Sequence, residues 1–287
     1  MPSLRPHWSY SRISQYLRCP LQYYFERIVG IPRPFVLSNM LFGSAIHAGL
    51  AMYHRALQVG EVLGVTSLHE EFLATWSETE AKQPISYSGG NGKHDLLAKS
   101  EALLATYLEE PPPEHILAVE ARYMVPLVNS RGEYLNKPLE AVLDLVCMDD
   151  TGVIVQEFKT SSRRYGEREL DTALQATCYT HTIEQRWGEV PRLEYVVLVK
   201  TQKPAVQRLS VGRSEYDFAR LGDLVESVER AVAAEIFYPH ESPLNCSGCP
   251  YRLECLEWQG TKQQQPELVP LHPLTVASSR QKQLVIL

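Results

Sequence analysis

Leu139-Glu140-Ala141-Val142-Leu143-Asp144-Leu145-Val146-Cys147-Met148, then Asp149-Asp150-Thr151-Gly152, then Val153-Ile154-Val155-Gln156-Glu157-Phe158-Lys159-Thr160 is the stretch whose reading decides the fold. Two largely apolar segments, joined by a turn of Asp, Asp, Thr and Gly, make an antiparallel hairpin the simplest assignment. Centring an even loop on Asp150 and Thr151 and counting back along both strands sets Asp144 directly opposite Glu157. The two carboxylates then share a face. Lys159 returns to that face by the two-residue strand period, while Phe158 points into the opposite layer.

Directly opposed positions hold their Cβ atoms ~5 Å apart, where two like charges repel unless a cation lies between them. A divalent ion resolves the conflict. Mg2+ and Mn2+ prefer oxygen ligands and keep several waters, which leaves room for a phosphate oxygen and an attacking water. Lys159 could orient that water or offset developing negative charge. The same three residues also fit two solvated acids beside a lysine on an exposed strand face, and the hairpin alone leaves both readings open.

Outward from the hairpin, the apolar pattern predicts strands near 116–128, 138–148, 153–160, 193–200 and 205–211. Helices are expected over 9–28, with Ser9 and Ser11 as candidate N-caps and Cys19 on or near the helix, and over 41–58. Three more are expected over 94–109, stopped by Pro111-Pro112-Pro113, and over 170–187 and 215–237. This order implies an α/β fold with a central mixed sheet flanked by helices. Gly89-Gly90-Asn91-Gly92 reads as a flexible loop, and 261–287, rich in Gln, Pro, Lys and Ser, as a disordered tail.

The chain of 287 residues, 44% hydrophobic, is long enough for one sizeable core or two modest ones. No apolar run approaches the ~20 residues of a membrane span, and the N-terminus lacks the apolar region of a secretory signal, so a cytoplasmic protein is expected. A formal charge of -6 gives no global attraction for nucleic acid, so a DNA site would need a local basic stripe and a bound metal. Arg163, Arg164 and Arg168 after the second strand of the hairpin, and Lys200 and Lys203 near Tyr195, are the candidate stripes. No P-loop pattern is present, so no helicase motor is built in.

Six cysteines are too few for a secreted disulfide scaffold of this length. Cys147 and Cys178 lie in apolar patterns and read as core. Cys19 stands alone near the N-terminus, whereas Cys246, Cys249 and Cys255 crowd into a segment rich in Pro, Ser, Asn and Gly. Four thiolates serve a 4Fe-4S cluster or a structural zinc, and spacing alone does not choose.

Asp144 followed by Glu157-Phe158-Lys159 resembles the D...(D/E)-x-K core of the PD-(D/E)XK nuclease superfamily, and the flanks resemble its RecB-like branch. Gly43-Ser44-Ala45-Ile46-His47 is similar to the branch's G-x-x-x-H motif, and Gln175 with Tyr179 to its Q-x-x-x-Y motif. Glu120 resembles an upstream acid of the family. Cys19 with the C-terminal C-x2-C-x5-C looks like the iron-sulfur staple of AddB-type nucleases and CRISPR-associated RecB-like exonucleases. Ala141, where the branch often has glycine, and the lack of a proline before Asp144 are departures that remove no reacting group.

The resemblance implies a restriction-endonuclease-like core over 1–240, comprising a helical part (9–110) and a catalytic core (116–237). A staple segment at 241–260 would be completed by Cys19. It further implies that His47, Asp144, Glu157 and the Phe158 carbonyl bind Mg2+ or Mn2+, that Lys159 assists the water, and that Gln175 and Tyr179 position Lys159 or the substrate. Cys19, Cys246, Cys249 and Cys255 would hold a 4Fe-4S cluster, zinc being the alternative. The implied activity is exonucleolytic cleavage of single-stranded DNA ends beside a helicase, recombination or CRISPR-adaptation partner. The alternative is a non-catalytic module of the same fold that binds DNA ends or a partner protein.

Overall fold

The computed structural model describes residues 7–87, 92–166 and 168–258; the loop expected at 89–92, apart from Gly92, and the tail at 261–287 lie outside them. The first part of the chain is β1 (Trp8–Ser9), α1 (Tyr10–Arg18), α2 (Pro20–Tyr23) and a π-helical turn (Tyr24–Val29). It continues with β2 (Val36–Leu37), α3 (Ser38–Gln58), α4 (Val65–Lys82), β3 (Ile85–Ser86) and α5 (Lys93–Leu108). Then come β4 (His115–Val125), β5 (Leu139–Asp149), β6 (Gly152–Ser161), α6 (Leu174–Trp187), β7 (Arg192–Val199), β8 (Ala205–Val211), α7 (Glu215–Ala233), α8 (Pro243–Cys246) and α9 (Arg252–Glu257).

The helix expected over 9–28 is broken. Cys19 is extended (φ -159°, ψ 103°) between α1 and α2, because the ring of Pro20 disfavours helical backbone in the residue before it. The kink turns the Cys19 thiol out of the helix line. The sequence reading assigned no helix between residues 58 and 94, yet α4 forms there, burying Leu68, Phe72 and Trp76 at four-residue steps. α3 and α4 pack closely enough that a Cβ on Gly49 would lie 2.9 Å from the Leu68 carbonyl oxygen.

The strands β4, β5, β6, β7 and β8 lie side by side in that order. β6 and β7 run parallel across the α6 crossover, and the other neighbours in that run are antiparallel. The hairpin has the expected register, with Leu145 opposite Gln156 and Asp149 opposite Gly152. β7 is covered on both faces. Its Leu193, Tyr195 and Val197 pack with Ile13, Ala176, Val225 and Val228 of α1, α6 and α7, while Val196 and Leu198 pack with Phe42, Ile46, Phe72 and Leu104 of α3, α4 and α5. Cys147 and Cys178 are buried, and burial pushes their thiols up to about 11 and about 12. Among the described residues no helix is long and apolar enough to cross a membrane.

Candidate active site

One edge of β5 is shared by two strands. β1 pairs in parallel with Leu139 and Glu140, and β6 takes Leu145 to Asp149, so β6 leaves β5 just past Leu145 and stays with β7. Asp144 and Glu157 lie at the mouth of this fork. The ladder pair that the register would place there is opened, and the Phe158 N–H donates instead to Asp144 Oδ2 at 2.8 Å. Phe158 itself packs into the α3 layer, its ring parallel to the His54 imidazole, as the strand period predicts.

β4 bends at the same level. Val119 faces Leu145 and Ala121 faces Leu143, which brackets Glu120 against Asp144, and Glu120 has φ +49°. A left-handed backbone on a glutamate is strained, and such strain persists where the surroundings hold it. Ligand atoms of His47, Glu120 and Asp144 all lie within 4.8 Å of one another. Glu120 was recognised in the sequence only by resemblance, since neither its burial nor its backbone is legible there.

Glu157 is 2% exposed and approaches from the other side. Its Oε1 accepts from Lys159 Nζ at 2.6 Å and from Gln175 Nε2 at 2.7 Å. Gln175 Oε1 accepts from Lys159 Nζ at 2.8 Å, and its Nε2 also donates to the Tyr179 hydroxyl at 3.0 Å. The four-residue step of the Gln-Tyr pair thus aims both side chains of α6 at the fork. Glu157 Oε2 is buried and has no hydrogen-bond partner. An orphaned carboxylate oxygen beside a His, Glu and Asp group is a donor set that fits a hard divalent cation.

The charges conflict. Burial and the nearby Asp144 carboxylate push Glu157 up to about 8. Burial also penalises charge on Asp144, but the His47 imidazole and the Phe158 N–H outweigh it and hold Asp144 below the ordinary carboxylate range. His47 Nδ1 lies 3.3 Å from Asp144 Oδ1, and although burial disfavours the imidazolium, Asp144 and Glu157 raise its pKa. Burial likewise opposes the Lys159 charge, and Glu157 more than restores it. Burial and Asp144 together raise Glu120.

The group opens into a cleft of about 1000 Å3 whose wall is one face of α3. His47, Glu120, Phe158 and Lys159 line it, together with Gly43, whose Cβ position would be 3.5 Å from Thr160 Oγ1. The expected basic stripes stand apart from this lining. Arg163 pairs with Glu169 at 2.8 and 2.9 Å, and Arg164 and Arg168 are exposed beside it. Lys200 lies over the Phe42 ring and donates to Asn39, and Lys203 is exposed.

At the far end of α1, Cys19 meets the C-terminal segment. Cys19, Cys249 and Cys255 pack around Leu21, Phe25 and Tyr251, and no disulfide is formed. Burial raises the Cys249 and Cys255 thiols, and the neighbouring thiols, Cys19 and Cys246 among them, raise them further. The His240 N–H donates to Cys19 Sγ at 3.5 Å. Cys19, Cys246, Cys249 and Cys255 thus meet at one corner of the fold.

None of the curated proteins is significantly similar to this chain. Among solved structures, that of a candidate exonuclease from Eubacterium rectale aligns with a TM-score of 0.57, covering 90% of each chain at 13% identity, a likeness that speaks to the fold alone. The structure of SSO0001 aligns at a TM-score of 0.35 and 12% identity, covering 85% of this chain and 94% of that one. The sequence profile of the PD-(D/E)XK nuclease superfamily matches residues 7–255. That match spans both layers, the fork and the cysteine segment, and the chain belongs to the PD-(D/E)XK nuclease superfamily.

Proposed function

We propose that this protein is a divalent-metal-dependent deoxyribonuclease that removes nucleotides from single-stranded DNA ends. The observation that carries the reading is the grouping of Asp144 with His47 and Glu120 behind a cleft that His47, Glu120 and Lys159 line, with Glu157 bonded to Lys159 and its Oε2 left without a partner. A solvated surface pair of acids would be exposed, whereas Asp144 and Glu157 are 8% and 2% exposed.

His47, Glu120, Asp144 and Glu157, with the Phe158 carbonyl, would hold Mg2+ or Mn2+, which when bound supplies charge to a phosphoryl oxygen and acidity to a water. Lys159 enters the cleft as an ammonium, because Glu157 holds its pKa up, so it acts as a donor and not as a base. There it orients the water and offsets negative charge gathering on the phosphoryl oxygens. Gln175 fixes Lys159 relative to Glu157, and Tyr179 fixes Gln175. In our reading Arg163, Arg164, Arg168, Lys200 and Lys203 meet DNA only outside the cleft.

Cys19, Cys246, Cys249 and Cys255 would hold a 4Fe-4S cluster that ties the two ends of the domain, with a helicase, recombination or CRISPR-adaptation protein as partner. Cleavage of end-labelled single-stranded and duplex DNA in Mn2+, Mg2+ or EDTA tests the activity, comparing wild type with Glu157→Ala and Lys159→Ala. Metal-dependent loss of the end label that drops by at least ~100-fold in both variants is expected. Tight DNA binding with no cleavage under any condition would establish the non-catalytic module instead.

A further inference from the structure

The cleft holds an acidic set, yet a phosphodiester strand is an anion, so something in the lining must attract it. Besides Lys159, whose ammonium is engaged by Glu157 and Gln175, the lining contains one other Lys or Arg among the described residues, Arg55. Arg55 is exposed, and no hydrogen bond or ion pair among the described residues holds its guanidinium. Met40, Ser44, His47, Ala51 and Arg55 follow one another at three- and four-residue steps and line the cleft from a single face of α3. At ~1.5 Å per residue, the Arg55 backbone stands ~12 Å along the helix from that of His47, and its charge still reaches the metal-binding group, where it lowers the pKa of Glu120 against the rise from burial and Asp144. Met40, at the other end of this face, also lines a second cavity of about 310 Å3 beside Arg18.

The geometry points to Arg55 as a substrate-binding residue that takes a backbone phosphate beyond the scissile one and so sets the line of a single strand along α3, an assignment that rests on the nuclease reading above. A stacked strand advances ~3.4 Å per nucleotide, so the phosphate lies at most about three to four nucleotides from the one being cleaved, and fewer if the strand is extended. The guanidinium offers two parallel donors to a phosphate, which a lysine would not. With a chain of net charge -6 there is little long-range attraction to substitute for it.

The test is binding of a fluorescent single-stranded oligonucleotide in EDTA across a salt series, followed by cleavage kinetics in Mn2+ on substrates of increasing length. Arg55→Gln is compared with wild type, with Arg55→Lys and with Arg230→Gln, which removes an exposed cation paired with Glu226 on α7. Arg55→Gln should lower the magnitude of the log-log salt slope by about 0.7, the share of one phosphate contact on a single strand, and Arg55→Lys should restore it. KM should rise about tenfold for substrates longer than about four nucleotides and stay level for a dinucleotide, with kcat nearly constant. A salt slope equal to wild type, or a KM change as large on a dinucleotide, would overturn the assignment while leaving the nuclease intact. If wild type binds the oligonucleotide and cuts nothing, the nuclease reading fails, and the salt slope still judges Arg55. An equal loss in Arg230→Gln would also overturn it, since net charge would then explain the effect.

Discussion

Replacing Glu157 with glutamine should stabilise the metal-free protein in alkali and weaken its protection by Mn2+. The carboxyl is 2% exposed and stands near Asp144, which raises its pKa from 4.5 to about 8. Because the folded state holds this proton more tightly than the unfolded chain, its contribution to stability is present below about pH 4.5, falls as pH rises through about 8 and is gone above that window. At ~1.4 kcal/mol per tenfold, the penalty approaches ~5 kcal/mol at about pH 9. Glutamine removes the charge and keeps an oxygen for Lys159 and Gln175, but it places an amide where Oε2 has no partner. An unsatisfied buried donor costs ~1–3 kcal/mol, which leaves a net gain of about 2–4 kcal/mol at about pH 9. At ~2–4 °C per kcal/mol for a domain of this size, Glu157→Gln should melt about 4–16 °C above wild type at about pH 9 in EDTA, and below it at about pH 4, where the carboxyl is already neutral and only the amide cost remains. Saturating Mn2+ at about a hundredfold over its Kd should add ~2.7 kcal/mol to wild type and much less to the variant, so most of the gap closes. Thermal melts followed by circular dichroism at several pH values, with EDTA or Mn2+, read both arms. A variant that melts below wild type at about pH 9 in EDTA, and that Mn2+ protects as strongly as wild type, would refute the reasoning.

Gly222→Ala would ordinarily strengthen a helix, but here the Cβ of α7 would lie 2.0 Å from the Val128 carbonyl oxygen, so the melting midpoint should drop by an amount equivalent to about 2 kcal/mol or more. Glu120→Gln should reduce Mn2+ affinity at least about tenfold in a calorimetric titration, because it removes one charge from the group with His47 and Asp144; an unchanged affinity would take Glu120 out of the ligand set. Anaerobically purified protein should be brown with absorbance near about 400 nm, and Cys19→Ser should lose that colour and much of its thermal stability. A colourless wild type carrying zinc would replace the cluster by a zinc knuckle.

The sequence alone determined the local geometry of the hairpin, because the strand period and the Asp149–Gly152 turn leave little choice of register. Phe158 was bound to face away from Glu157 and Lys159, and Gln175 and Tyr179 had to share a helical face. Helix positions were legible wherever apolar residues recur at three- and four-residue steps, but α4 was missed because only Leu68, Phe72 and Trp76 of its eighteen residues are buried. The Pro20 break in α1 could have been read from the rule that a proline expels the preceding residue from a helix.

Only the tertiary structure decided the rest. The fork that frees the Phe158 N–H for Asp144 exists because β1 and β6 share an edge of β5, a pairing between segments far apart in the chain. Glu120 reaches Asp144 through a strained backbone imposed by β4 against β5, and Arg55 enters the cleft because α3 is seated across the sheet by its buried face. Residue types and periods are local and can be read along the chain. Which carboxylate loses its water, which oxygen is left without a partner and which cation stays unpaired depend on burial, and burial is settled only when distant segments pack.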